Sequence, residues 1–134
     1  MATSEQNLAI IQNAFQNFAT GNITAIVDIC AHDISWGAFH HPAVPFSKTY
    51  NGKAGVGEFF TTLAGSIEYE VFEPRELFAD NDSVLVRGYH QAVVRNTGKK
   101  FGHDFLMHFR LKDGLVSNYF AFTDIADQAQ AFQS

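Results

Sequence analysis

Apolar positions along the chain recur first at helical spacing and then at strand spacing, and the period changes near the middle. Thr3 and Gln6 stand three apart ahead of Leu8, Ile11, Phe15 and Phe18, which reads as a capping box followed by one apolar helix face, and Gly21 stops the run. A second, short helix carries Ile23, Ile26, Val27 and Cys30. Residues 34–39, Ile-Ser-Trp-Gly-Ala-Phe, read as a strand, followed by a loop with Pro42 and Pro45 and by a third helix with Val56, Phe59, Phe60 and Leu63 on one side. From Ile67 to Asp124 the alternation is two-fold, in segments 67–79, 83–95, 100–112 and 115–123. Pro74 marks a bulge or an edge position in the first of these. A final helix over 125–132 closes the chain. Helices followed by a run of antiparallel strands predict an α+β fold with the helices packed on one sheet face.

Turn residues set the expected registers. Asp113-Gly114 suits a two-residue hairpin turn, placing Lys112 opposite Leu115, Met107 opposite Phe120, Phe105 opposite Phe122 and His103 opposite Asp124. A turn around Thr97-Gly98 places Arg95 opposite Lys100, Ala92 opposite His103, His90 opposite Phe105 and Gly88 opposite Met107. One face then gathers an apolar wall, with Phe105, Met107, Phe120 and Phe122 as ligand-contacting candidates beside Phe15 of the first helix and Trp36 of the first strand. The other face carries Arg87, Gln91, Asp104, His108, Arg110 and Tyr119.

Three titratable groups interrupt the apolar wall: His90, His103 and Asp124. A carboxylate opposite an imidazole fixes its tautomer, so His103 with Asp124 is the expected acid/base dyad. His90 is placed to bind a substrate oxygen or to relay a proton. Each residue also has a structural reading: Asp124 as N-cap of the last helix, the histidines as hydrogen-bonded core or rim groups.

Composition narrows the functions further. A chain of 134 residues suits one domain over 1–134, and fourteen Phe with only 17% charged residues must fill a core or line an apolar cavity for a small organic ligand. The net charge of -5, with basic residues scattered, offers no face for nucleic acid. No apolar stretch reaches membrane-spanning length and no leader pattern is evident, so a cytoplasmic setting is expected. Cys30 is the single cysteine and reads as a buried hydrophobe. His40-His41 lie in a loop without compact ligand spacing, and neither a metal nor a cofactor is expected.

Four segments carry a family resemblance: Phe18-Ala-Thr-Gly-Asn22, the stretch from Ala25 to Trp36, Asn51-Gly-Lys-Ala-Gly-Val-Gly-Glu-Phe59, and the stretch from His108 to Ser117. Their order resembles the SnoaL-like and ketosteroid isomerase-like branch of the nuclear transport factor 2-like superfamily. The resemblance implies a cone-shaped domain, a curved, largely antiparallel sheet wrapped around N-terminal helices over an apolar pocket. It also implies pairing of two copies through the outer sheet face, where Tyr89, Tyr119 and Leu106 are expected. The isomerases of that branch use a Tyr on the first helix, a general-base Asp and a protonated Asp, and the matching positions here are Ala14, Ala38 and Met107. That mechanism is therefore not expected. What remains is a cofactor-independent lyase, isomerase or cyclase acting on a small apolar carbonyl or hydroxyl compound. The alternative is a non-catalytic module that binds a small ligand or fills its cavity with its own Phe side chains.

Overall fold

The computed structural model describes residues 2–134. The capping box forms as the sequence predicts: Thr3 Oγ1 accepts the Gln6 N–H at 3.1 Å and Gln6 Oε1 accepts the Thr3 N–H at 2.9 Å, starting α1 (Ser4–Ala19). Gly21, at φ +78°, turns the chain away. Asn22 then caps α2 (Ile23–Asp28) by accepting the Ala25 N–H. The first strand, β1 (Cys30–Ala38), starts earlier than the sequence indicates, and Cys30 belongs to it rather than to the helix. The cause is non-local: the Val116 N–H donates to the Ile29 carbonyl at 2.8 Å and draws this segment into the sheet.

After β2 (Tyr50–Asn51) come α3 (Gly52–Ser66), β3 (Ile67–Asp80), β4 (Ser83–Val94), β5 (Lys100–Lys112), β6 (Leu115–Phe122) and α4 (Ile125–Phe132). The strands form one sheet in the order β2-β1-β6-β5-β4-β3, with β1 parallel to β6 and every other pair antiparallel. The fold is thus α+β with a mixed, curved, unclosed sheet. α1 packs on β3 and β4, α3 on β1, and α4 on β5, so helices close over one sheet face and leave the other exposed.

Two registers differ from the expected ones, with opposite consequences. Between β4 and β5 the turn is longer, because the Val94 N–H donates to Lys99 O and the Gly98 N–H to Val94 O, both at 2.8 Å. His90 therefore faces His103 and Gly88 faces Phe105, two residues from the expected pairing. An even displacement keeps every side chain on its face. Between β5 and β6 the hairpin starts as expected, with Lys112 opposite Leu115 and Leu111 opposite Val116, but Arg110 then pairs with Asn118. Ser117 is the extra residue of a bulge, its hydroxyl donating to Arg110 O at 3.1 Å. This odd displacement reverses the outer half of β6. Tyr119 and Ala121 turn inward and are buried, whereas Phe120 and Phe122 turn outward. Phe120 and Phe122 are therefore not pocket residues: they stand with Phe39 on the open sheet face, ring centroids 4.8–5.6 Å apart.

Candidate active site

A cavity of about 70 Å³ lies between α1, α3 and the inner face of the sheet. Phe15 of α1, Trp36 of β1 and Met107 of β5 line it, together with Tyr69 and Phe72 of β3 and Tyr119 of β6. Phe105 is buried one layer behind, stacked on Phe72 at 5.3 Å. Ala14 and Met107 both line the cavity and leave that part of its wall apolar. The lining contains no charged side chain.

Beside this cavity runs a chain of three titratable groups. Nε2 of His90 lies 2.9 Å from Nε2 of His103, and Nδ1 of His103 lies 2.8 Å from Oδ2 of Asp127. The same Asp127 oxygen accepts the Gly102 N–H at 3.1 Å. A carboxylate on Nδ1 fixes the proton of neutral His103 there and leaves its Nε2 as an acceptor for the Nε2–H of His90. By this logic Nδ1 of His90 carries a lone pair, and that atom is buried with no partner.

The expected partner of His103, Asp124, is corrected by this geometry. Asp124 is the N-cap of α4, its Oδ1 accepting the Asp127 N–H at 3.0 Å, and the bulge at Ser117 removes it from the position opposite His103. Asp127 lies three residues on, in the first turn of α4, where an acidic side chain also suits the helix dipole. Reading Asp124 as the cap and then looking three residues ahead would have found it.

His90 sits in an aromatic box. Its ring centroid is 5.2 Å from Phe105, 5.6 Å from Phe101 and 5.9 Å from Tyr69, and His90 is not among the residues that line the cavity. Burial, reinforced by the charge of His103, pushes its pKa down to about 3, so the ring is neutral at ordinary pH. His103 and Asp127 lie nearer the surface, their side chains 9% and 33% exposed. The loop histidines stand apart: His40 bonds Thr49, and His41 Nδ1 accepts the Ala43 N–H. Cys30 is buried, and desolvation raises its thiol pKa to about 11, consistent with an inert core residue. No helix among the described residues is long and apolar enough to cross a membrane.

No curated protein matches the chain in sequence. Among solved structures, an NTF2-like protein of Burkholderia xenovorans is 22% identical over 98% of both chains, with a TM-score of 0.89. TerC, co-crystallised with polyporic acid, is 21% identical over 96% of this chain and 99% of its own, with a TM-score of 0.81. A candidate polyketide cyclase of Xanthomonas campestris is 14% identical over 98% of this chain and 100% of its own, with a TM-score of 0.79. At these identities the likeness carries the fold, the α+β cone of NTF2-like proteins. The SnoaL-like domain matches residues 11–119, most of the chain, and this shows that the chain belongs to the SnoaL-like family of the NTF2-like superfamily.

Proposed function

We propose that the chain is a cofactor-independent acid/base enzyme, a cyclase, isomerase or lyase, acting on a small, largely apolar carbonyl or hydroxyl compound. The observation that carries this reading is Nδ1 of His90, a buried nitrogen without a partner at the inner end of a hydrogen-bonded chain that leads outward to a carboxylate. Leaving such an atom unpaired costs roughly 1–3 kcal/mol, and groups left this way call for a functional account. The family likeness to polyketide cyclases agrees with the reaction class.

The chain solves a difficulty that His90 alone would face. A ring with a pKa of about 3 is a feeble base near neutral pH. When Nδ1 of His90 takes a proton from substrate carbon, its Nε2–H passes to Nε2 of His103. His90 stays neutral, and the positive charge comes to rest on His103, paired with Asp127. The reverse transfer reprotonates the product at another atom, which completes an isomerisation or a ring closure. Tyr69 and Phe72 line the cavity and also neighbour His90, so these are the rings that a substrate would turn aside to reach Nδ1.

The test is exchange of carbon-bound hydrogen for deuterium in small aryl ketones in D₂O, followed by NMR. His103→Gln and Asp127→Asn should each lower the catalysed rate by ~10²-fold or more, and Asp124→Asn should leave it within a few-fold. Full activity in His103→Gln would sink the relay. One observation favours a second reading, a non-catalytic module: the cavity of about 70 Å³ is well below the roughly 300–1,000 Å³ of ordinary ligand sites. Under that reading no ketone exchanges and no molecule is retained through purification. As a partner we propose a second copy of the chain on the open sheet face.

A further inference from the structure

Three residues that line the cavity carry hydrogen-bond donors that the relay does not use. Trp36 and Tyr119 are paired across the parallel β1–β6 register and stack at 3.9 Å with 21° between planes. They are 5% and 6% exposed, and both line the cavity. The indole N–H of Trp36 is buried without a partner, and an indole nitrogen can only donate. Tyr69 contributes a second phenol from β3. Burial raises the pKa of both phenols, so both hydroxyls remain protonated donors. Neither hydroxyl is hydrogen-bonded to another described residue.

We propose that Trp36, Tyr69 and Tyr119 form a donor set that receives the acceptor oxygen of the ligand, and that this selects uncharged, flat carbonyl compounds. The inference rests on the reading of this cavity as the ligand site, and it names the ligand class. The buried indole N–H without an acceptor weakens the empty protein, and an oxygen arriving beside it relieves that cost. A carboxylate would satisfy the donors but would bring a charge into a lining that has no cation to pair with it. Flatness is favoured because Phe15, Phe59 and Phe72 give the cavity aromatic walls, on which a flat ring can stack. A hollow outside the cavity shares Phe15, Phe18, Tyr69 and Phe72 with it, so turning these rings joins the two spaces and admits the ligand.

Trp36 is the sole tryptophan, so the protein has a single indole N–H resonance. Titration with acetophenone and with α-methylstyrene, in which CH₂ replaces the carbonyl oxygen, isolates the contribution of that oxygen. Acetophenone should move the indole N–H proton downfield, and α-methylstyrene should not. The double variant Tyr69→Phe/Tyr119→Phe should bind acetophenone about tenfold more weakly and α-methylstyrene no more weakly than the parent. The proposal is overturned if both compounds move the resonance alike, if the double variant weakens both equally, if benzoate binds as tightly as acetophenone, or if neither compound binds. His103→Gln should bind both compounds as the parent does. Failure of the relay would therefore show in deuterium exchange, and failure of the donor set in these titrations.

Discussion

His90 is a base stripped of its water by Phe101, Phe105 and Tyr69, and its depressed pKa has a consequence for stability as well as for catalysis. In the unfolded chain a histidine titrates near 6.5, and in the folded protein this one titrates at about 3. Between those values the unfolded state binds the extra proton, so stability rises with pH across the window and is lost as the pH falls from 6.5 toward 3. The effect is on the order of a few kcal/mol. Urea unfolding of the parent and of His90→Phe, each from pH 7 to pH 4, should show the parent losing stability more steeply as the pH falls, because only the parent has His90 to protonate. Parallel curves would mean that His90 is not held neutral. His90 and His103 were legible in the sequence because alternation alone puts them on the inner face. Asp127 was overlooked although the start of α4 was read correctly, because the expected register set Asp124 opposite His103 and the bulge in β6 removes it from there.

The sheet shows why the elements could be read from their periodicity while their pairing could not. Two-fold alternation survives any register, so β3 to β6 fall close to their expected bounds. Ser117, by contrast, looks like any other strand residue, and nothing in the local sequence announces that it is bulged. The longer turn after β4 carries a similar lesson with a milder outcome, since its displacement is even. It also explains Gly88. Opposite Phe105 rather than Met107, a Cβ at this position would stand 2.5 Å from Phe105 Cζ and 2.3 Å from the Glu73 carbonyl of β3. Phe105 packs against His90, so the missing side chain at position 88 keeps the relay's aromatic box in place. Gly88→Ala should cost ~1–3 kcal/mol in chemical denaturation. Gly57→Ala in α3, where an added Cβ meets nothing within 4 Å, should be neutral or stabilising by ~0.5–1 kcal/mol. Equal effects at the two sites would refute the close-packing argument.

At the scale of the whole molecule, the α+β cone was legible because the order of helices and strands leaves few ways to cover one sheet face. What β4 and β5 present on the open face was legible, but what β6 adds to it was not, and the bulge at Ser117 decides that. The same odd displacement that turns Tyr119 into the cavity turns Phe120 and Phe122 outward to meet Phe39. Phe39 and Phe122 are 42% and 41% exposed, and Leu106, paired with Phe122 across the strands, is 37% exposed. This exposed aromatic and aliphatic patch supports the proposed pairing of two copies through the open face. Because it lies on the face opposite the cavity, a second copy seated there would cover the patch and leave the ligand's route between α1 and β3 open. Sedimentation at micromolar concentration should therefore find a dimer, and Phe122→Glu should give a folded monomer whose indole N–H still responds to acetophenone. A parent protein that sediments as a monomer would count against pairing through this face. A variant that stays dimeric would move the interface elsewhere. If Phe122→Glu lost both the dimer and the ligand response, the open face and the cavity would be coupled through β6, the strand that presents Phe122 to one and Tyr119 to the other.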